Sequence, residues 1–141
     1  LPDGTARMFS FVMDVKSIIT EPAWPDRLTG PGWWEIRGLA WSGRGRITRV
    51  EVSADGGRTW QAATLDEPIL PKCHTRFRLP WRWSGGEALL MSRATDETGY
   101  VQPTRDVLVK ARGPSTSYHY NNIRVWRVGA DGTVRLAGSR A

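Results

Sequence analysis

Few residues in this 141-residue chain have the types and spacing that catalysis needs. The sequence has one cysteine, Cys73, and two histidines, His74 and His119. Cys73 and His74 are adjacent, and neighbouring side chains on a strand point to opposite faces, which disfavours a nucleophile–base pair. One cysteine with two distant histidines also falls short of the four nitrogen or sulfur ligands of a zinc site. We therefore expect no catalytic residues and no metal site within this sequence.

A polar segment from Lys110 to Asn122 is better suited to binding than to catalysis. Its proline and hydroxyl residues predict a long loop, and long loops in compact domains are often functional. Within it, Arg112, His119 and Tyr120 offer a guanidinium, an imidazole and a phenol, a set of groups that suits an oxyanion. We predict that these three side chains bind an anionic substrate at a shared active site. The alternative is that Arg112 is a solvated arginine without a role.

A second candidate surface lies in the segment from His74 to Trp83, where arginines alternate with aromatic residues. On a strand, this alternation places Arg76 and Arg78 on one face and Trp81 on the other. Aromatic anchors beside arginines are typical of association surfaces. We therefore predict a homodimer interface that includes Arg76, Arg78, Trp81 and Trp83. A core strand with a solvated basic face is the alternative interpretation.

The net charge of +6 comes from an arginine-rich composition, with 17 Arg and 3 Lys. Arginine suits bidentate recognition of anions and ion pairs better than loose electrostatic adhesion. The arginines are spread through nearly every segment, without the basic run or helical stripe of a typical nucleic-acid surface, so we expect no nucleic-acid partner. No apolar stretch is long enough for a membrane span, so we expect no membrane partner either.

The hydrophobic period is two almost everywhere, which predicts an all-β chain. About nine short strands follow one another, with turn signals such as Asp55-Gly56-Gly57 between them. This pattern favours an immunoglobulin-like β-sandwich with little helix, and residues 1–141 form one domain. The expected strands include Phe9 to Ile19, Trp33 to Trp41, Ile47 to Val52, Trp60 to Leu65, His74 to Trp83 broken at Pro80, Ala88 to Ala94, Ile123 to Val128 and Thr133 to Leu136. Because the start lacks Met and an apolar leader, we expect a fragment.

Several ordered motifs resemble the dimerisation domain of sulfite oxidase-type molybdenum enzymes. They are Gly38-Leu-Ala-Trp-Ser-Gly43, Ile47-Thr-Arg-Val-Glu-Val-Ser-Ala-Asp-Gly-Gly-Arg-Thr-Trp60, Ala94-Thr-Asp-Glu-Thr-Gly-Tyr-Val-Gln-Pro103 and the segment Asn122 to Val128 around Trp126. Two further segments, Phe11 to Thr20 and Arg76 to Trp83, are similar to the molybdenum subunit of sulfane dehydrogenases. The resemblance covers nearly the whole chain.

The resemblance implies an immunoglobulin-like sandwich that follows a molybdopterin-binding catalytic domain. The molybdenum-ligating cysteine would lie in that upstream domain, because Cys73 matches no ligand motif of the family. We therefore expect no cofactor in this fragment and a molybdopterin cofactor in its parent enzyme. The family's substrate arginine precedes a glycine shortly before the last Trp-containing strand, which corresponds to Arg112-Gly113. The segment from Gly113 to Trp126 is longer than in sulfite oxidase, which leaves free sulfite and a carrier-bound sulfane open as substrates.

The same resemblance implies the partners and the compartment of the parent enzyme. They are a second copy of the chain, the upstream molybdopterin domain, a c-type cytochrome and an anionic sulfur compound, in the periplasm. The isolated fragment is not expected to be an enzyme by itself. A carbohydrate-binding module of the same sandwich type is the alternative function, with exposed aromatic pairs such as Trp33-Trp34 stacking on sugar rings.

Overall fold

The computed structural model of the chain describes residues 3–4, 11–113 and 119–137. These residues form nine β-strands and one α-helix. In chain order, the elements are β1 (Lys16–Glu21), β2 (Gly32–Trp41), β3 (Ile47–Ser53), β4 (Gln61–Ala62), β5 (Thr64–Leu65), β6 (Thr75–Trp83), β7 (Ala88–Asp96), α1 (Arg105–Arg112), β8 (Val125–Val128) and β9 (Val134–Leu136).

The strands form two antiparallel sheets whose inner faces share one hydrophobic core. The first sheet has the order β1-β2-β6-β5 and the second has the order β4-β3-β7-β8-β9. The core alternates along the strands of both sheets, as in Ile36 and Phe77 of the first and Val50 and Leu90 of the second. The all-β sandwich with little helix is therefore confirmed, and the period-two pattern is its physical cause, because alternate side chains face the core.

The first strand is shorter than the predicted segment from Phe9 to Ile19. Phe9 lies outside the described residues, Phe11 is 92% exposed, and β1 begins only at Lys16. Lys16 is paired with Trp41, the last residue of β2, so β1 begins where β2 ends. The alternating pattern continues before Lys16, so a prediction from the pattern alone began the strand too early.

The predicted return strand from Trp60 to Leu65 is divided between the two sheets. β4 pairs with β3 in the second sheet, while β5 pairs with β6 in the first. The chain changes sheet at Ala63, whose N–H still donates to the carbonyl of Val50. The sequence pattern showed one apolar alternation and could not reveal which sheet each part joins.

Pro80 does not break β6, contrary to the prediction. It is paired in register with Glu35 of β2, and β6 continues to Trp83. On the other side of β6, β5 pairs only with Phe77 and Arg78. Proline is tolerated where a strand has a free edge, because no ladder hydrogen bond needs its missing N–H.

The two sheets are also joined by a buried polar contact between β1 and β7. Ser17 Oγ donates to Gln102 Oε1 at 2.7 Å and lies within hydrogen-bond distance of Ser92 Oγ at 2.9 Å. The same Gln102 oxygen accepts from the backbone N–H groups of Ser17 and Ala94. Because buried polar groups are costly unless they are paired, this contact fixes β1 against β7 and fixes the segment that leads into α1.

Replacement of Gly38 by alanine should destabilise the sandwich strongly. An added Cβ would lie 2.2 Å from the carbonyl oxygen of Ile18 and 2.3 Å from the ring of Phe77. Because overpacking at a well-packed site displaces backbone and side chains, we expect a loss of about 3 kcal/mol in the free energy of unfolding. Chemical denaturation of Gly38→Ala measures this loss. Gly86→Ala is the control, since no atom lies within 4 Å of its added Cβ, and equal effects of the two variants would contradict the prediction.

Candidate functional site

Arg112 lies at the end of helix α1 and not in the long loop that the sequence predicted. The helix begins after Thr104, whose side chain accepts a hydrogen bond from the N–H of Val107, and it ends before Gly113, with φ of 82°. Leu108 is the buried residue that anchors it. The sequence prediction missed this helix although its signals are present: Thr104 precedes the first turn, Asp106 lies in it, and Gly113 follows the last turn. The result is that Arg112 is held at a defined position, where the helix dipole favours a cation.

The side chain of Arg112 reaches the segment that precedes β1. Its Nη2 forms an ion pair with Oδ2 of Asp14, and Arg44 forms a second ion pair with Oδ1 of the same carboxylate at 3.0 Å. The carboxylate is only 8% exposed, whereas Arg112 is 35% exposed and Arg44 is 47% exposed. One buried carboxylate therefore holds two arginines that extend toward solvent.

His119 and Tyr120 lie beside the same segment. Nε2 of His119 is 2.6 Å from the backbone carbonyl oxygen of Asp14, and a carbonyl only accepts, so this nitrogen carries the hydrogen. The backbone carbonyl of Tyr120 accepts from Nζ of Lys16 at 2.8 Å. The guanidinium of Arg124 lies 5.9 Å from the centre of the Tyr120 ring. The structure thus brings the three predicted substrate-binding residues together around residues 14–16.

We refer to Lys16, Arg44, Arg112 and Arg124, with the carboxylate of Asp14 and the ring of His119, as the basic cluster. Burial acts to raise the pKa of Asp14, but hydrogen bonds and charges from Arg112 and Arg44 outweigh it and hold the pKa below its usual value. Burial and the charge of Arg124 lower the pKa of Lys16. The cluster carries four cations and one carboxylate, so its excess charge is positive, and it is suited to holding an oxyanion by charge-assisted hydrogen bonds.

The sequence interpretation missed Asp14, Lys16 and Arg44 as members of this cluster. Asp14 stood among alternating residues of a predicted strand, and Arg44 stood between the predicted strands Trp33 to Trp41 and Ile47 to Val52. An aspartate inside an apolar segment was the only available signal, since such a residue must find a partner when it is buried. Its partners, Arg44 and Arg112, lie 30 and 98 positions further along the chain, so the local sequence could not identify them.

The predicted dimer strand has its arginines on the outer face of the first sheet. Arg76, Arg78 and Arg82 are exposed, and Arg78 pairs with Asp66 at 2.9 Å. In the described part of the chain, neither Arg76 nor Arg82 forms an ion pair. Across the strand, Arg82 is paired in register with Trp33, which is 72% exposed. The outer face therefore combines unpaired arginines with an exposed indole.

Trp81 and Trp83 point to the other side of β6. Trp83 is 4% exposed within the single chain and donates from Nε1 to the carbonyl of Gly86 at 2.7 Å. Trp81 is partly buried and packs against the core. Trp83 therefore belongs to the core of its own domain, and its place in a dimer interface stays a prediction. The exposed aromatic side chain beside the arginines is instead Trp33, on the outer face of the first sheet.

Trp33 and Trp34 do not form the flat aromatic pair that a sugar-binding platform needs. Trp33 is exposed, whereas Trp34 packs against the core and donates from Nε1 to the carbonyl of Gly30 at 3.0 Å. Adjacent residues on a strand point to opposite faces, so the two rings are separated by the sheet. The geometry at this pair does not support the carbohydrate-binding alternative.

The fold and the site define an all-β sandwich domain with a cluster of cations beside its first strand. A family model described as the Mo-co oxidoreductase dimerisation domain matches residues 7–126. The chain belongs to this family of dimerisation domains from molybdenum-cofactor oxidoreductases.

Known proteins and structures agree with this assignment. The crystal structure of the sulfane dehydrogenase SoxCD from Paracoccus pantotrophus is 52% identical, covers 99% of this chain and matches it with a TM-score of 0.92. Sulfite oxidase of Gallus gallus is 35% identical over 64% of this chain, and a nitrate reductase [NADH] of Solanum lycopersicum is 36% identical over 66%. The chain spans 36% of the sulfane dehydrogenase chain, 21% of the sulfite oxidase and 12% of the nitrate reductase.

Within the described segments, no group of three or more His, Cys, Asp or Glu side chains could hold a metal ion, and Cys73 is exposed. Within residues 3–4, 11–113 and 119–137, no helix is long and apolar enough to cross a membrane.

The ion pairs of Asp14 should make stability depend on pH in the acid range. Because the folded-state pKa of Asp14 lies below its unfolded value, the stabilisation is complete above about pH 4, the unfolded value, and is lost as pH falls through the folded pKa. We expect the decrease in Tm between pH 6 and pH 3 to be smaller in Asp14→Asn than in the unmodified chain. Thermal unfolding at several pH values measures it. Glu87→Gln, at an exposed turn, should retain the full decrease, and an unchanged decrease in Asp14→Asn would refute the assignment.

Proposed function

We propose that this chain is the dimerisation and substrate-site-completing domain of a periplasmic molybdenum oxidoreductase of inorganic sulfur oxidation. The parent enzyme would oxidise sulfite or a carrier-bound sulfane and pass electrons to a c-type cytochrome. The observation that carries this proposal is the basic cluster, which presents Arg112 on a chain that is 52% identical to a sulfane dehydrogenase. In this proposal the molybdopterin cofactor and its ligands belong to another domain of the parent enzyme.

The role of this domain in substrate binding would be electrostatic. Sulfite carries negative charge on oxygen atoms, as does a sulfane sulfur once it has been oxidised, and guanidinium groups bind such oxyanions with two parallel N–H donors. Arg112 is only partly exposed, so its hydrogen bonds would be less weakened by water than those of a surface arginine. Nε2 of His119 donates its hydrogen to the carbonyl of Asp14. The other ring nitrogen, Nδ1, would then be the one available to a substrate or to another side chain.

The dimer contact would lie on the outer face of the first sheet. The supporting observations are Arg76 and Arg82, which form no ion pair in the described residues, and the exposed indole of Trp33 beside Arg82. Arginine and tryptophan are the side chains that most often dominate the energy of an interface. A groove of about 650 Å³ crosses the same face between Glu35, Arg76 and Arg78.

Replacement of Arg112 should weaken substrate binding by the full-length enzyme. Loss of one charge-assisted hydrogen bond is worth about 1.5–3 kcal/mol, so we expect kcat/KM for sulfite to fall roughly 10- to 150-fold in Arg112→Ala. Arg112→Lys keeps the charge but loses the planar pair of donors, so its KM should also rise. Steady-state kinetics measures both variants.

The control for Arg112 is Arg105→Ala, at the exposed first turn of the same helix. Arg124 is unsuitable as a control because its guanidinium lies beside Tyr120 and Lys16 in the basic cluster. Equal, small effects at Arg105 and Arg112 would show that Arg112 is only another surface charge.

Replacement of Trp33 or Arg82 should weaken the dimer of the full-length enzyme. Truncation of an interface hot spot costs about 2 kcal/mol or more, so Trp33→Ala or Arg82→Glu should raise the dimer dissociation constant roughly 30-fold. Both side chains are exposed in the single chain, so their loss should leave its core unchanged. Analytical ultracentrifugation measures the constant. Arg127→Glu, on the second sheet, is the control, and unchanged dimer affinity in Trp33→Ala and Arg82→Glu would exclude this face.

A further inference from the structure

Asp14 is placed so that it can control the orientation of Arg112. Its Oδ2 pairs with Nη2 of Arg112, while its Oδ1 is occupied by Arg44. In the described part of the chain, Asp14 is the only acidic group that pairs with a cation of the basic cluster. A guanidinium has five N–H donors, so contact through one Nη2 leaves the other donors available on the side that is turned away from Asp14.

We propose that Asp14 is a positioning residue for the substrate anion: its carboxylate orients the Arg112 guanidinium so that the remaining N–H donors meet the oxyanion. This inference rests on the proposed function of Arg112 and assigns a role to a residue that does not itself touch the substrate. Asp14 would repel an anion if it were exposed, but its carboxylate is 8% exposed and is paired with two arginines.

The physical reason for such a residue is the flexibility of the arginine side chain. A long side chain at the end of a helix samples many rotamers, and binding must then restrict them at the expense of affinity. A fixed carboxylate restricts Arg112 before the anion arrives, which is preorganisation. Because Arg44 shares the same carboxylate, and Lys16 and Arg124 lie nearby, the cluster retains a positive excess that attracts the anion.

The backbone around Asp14 is held by contacts that do not involve its carboxylate. The N–H of Gly43 donates to the carbonyl of Met13 at 2.7 Å, and Asn121 Nδ2 donates to the carbonyl of Val15 at 3.1 Å. The Asp14 carbonyl itself accepts from His119. Replacement of the carboxylate by an isosteric amide should therefore leave this segment in place, which makes the orientation of Arg112 testable by itself.

The experiment compares variants of the full-length enzyme with sulfite as the probe. For Asp14→Asn we expect KM to rise about fivefold to tenfold while kcat stays within about twofold, because the chemistry is unchanged and only anion binding is weakened. Asp14→Glu, which keeps the charge, should recover part of the loss. Arg105→Gln is the control, since Arg105 is exposed on the first turn of α1 and lies outside the basic cluster, and its KM should change less than about twofold. Isothermal titration calorimetry with sulfite reports binding whether or not the enzyme turns sulfite over.

A double variant separates orientation from a general structural effect. If Asp14 acts through Arg112, then Asp14→Asn should add no further loss of sulfite affinity in an Arg112→Ala background. Independent, multiplicative losses would overturn the inference, and so would a normal KM in Asp14→Asn when Arg112→Ala has a raised one. An unchanged sulfite affinity in Arg112→Ala would instead contradict the proposed function itself.

Discussion

The buried carboxylate of Asp14 is the constraint on which the arrangement of the basic cluster depends. A carboxylate that is almost excluded from water is destabilising unless it is paired, and here the pairing needs two arginines from separate parts of the chain. Arg44 comes from the turn after β2, and Arg112 comes from the end of α1. Asp14 thus joins the segment before β1 to both, and the cations around it outnumber it. The positive character of the site follows from this imbalance.

The sandwich supplies the distances that make this pairing possible. Gln102 accepts hydrogen bonds from Ser17 of β1 and Ala94 of β7, so the residues before α1 are fixed to both sheets. The N–H of Ile123 then donates to the carbonyl of Pro103 at 2.9 Å, which holds the segment that follows the helix. Arg112 is therefore carried by a short helix whose N-terminal side is attached to the core and whose Leu108 is buried. This rigid support is what a binding residue needs for a defined geometry.

Two surfaces of the domain differ in chemistry and in position. The basic cluster lies around the start of β1, where Arg44 and Arg112 pair with the Asp14 carboxylate and Lys16 and Arg124 lie beside Tyr120. The outer face of the first sheet instead combines Trp33 with Arg76 and Arg82, which suits a protein partner more than a small anion. A dimerisation domain that also contributes to a substrate site would need such a separation. A substitution in the basic cluster could then leave the outer face of the first sheet unaffected, and the reverse.

The sequence by itself determined the sandwich, the alternation of β6 and the candidate residues Arg112, His119 and Tyr120, because period-two patterns and side-chain chemistry are local properties. It did not determine the helix at Arg105–Arg112, which has one buried residue, or the inward position of Trp83, since either face of a strand can carry aromatic residues. Only the tertiary structure decided that Asp14 pairs with Arg44 and Arg112. Those ion pairs join residues far apart in sequence, and only the packing of the two sheets brings them together.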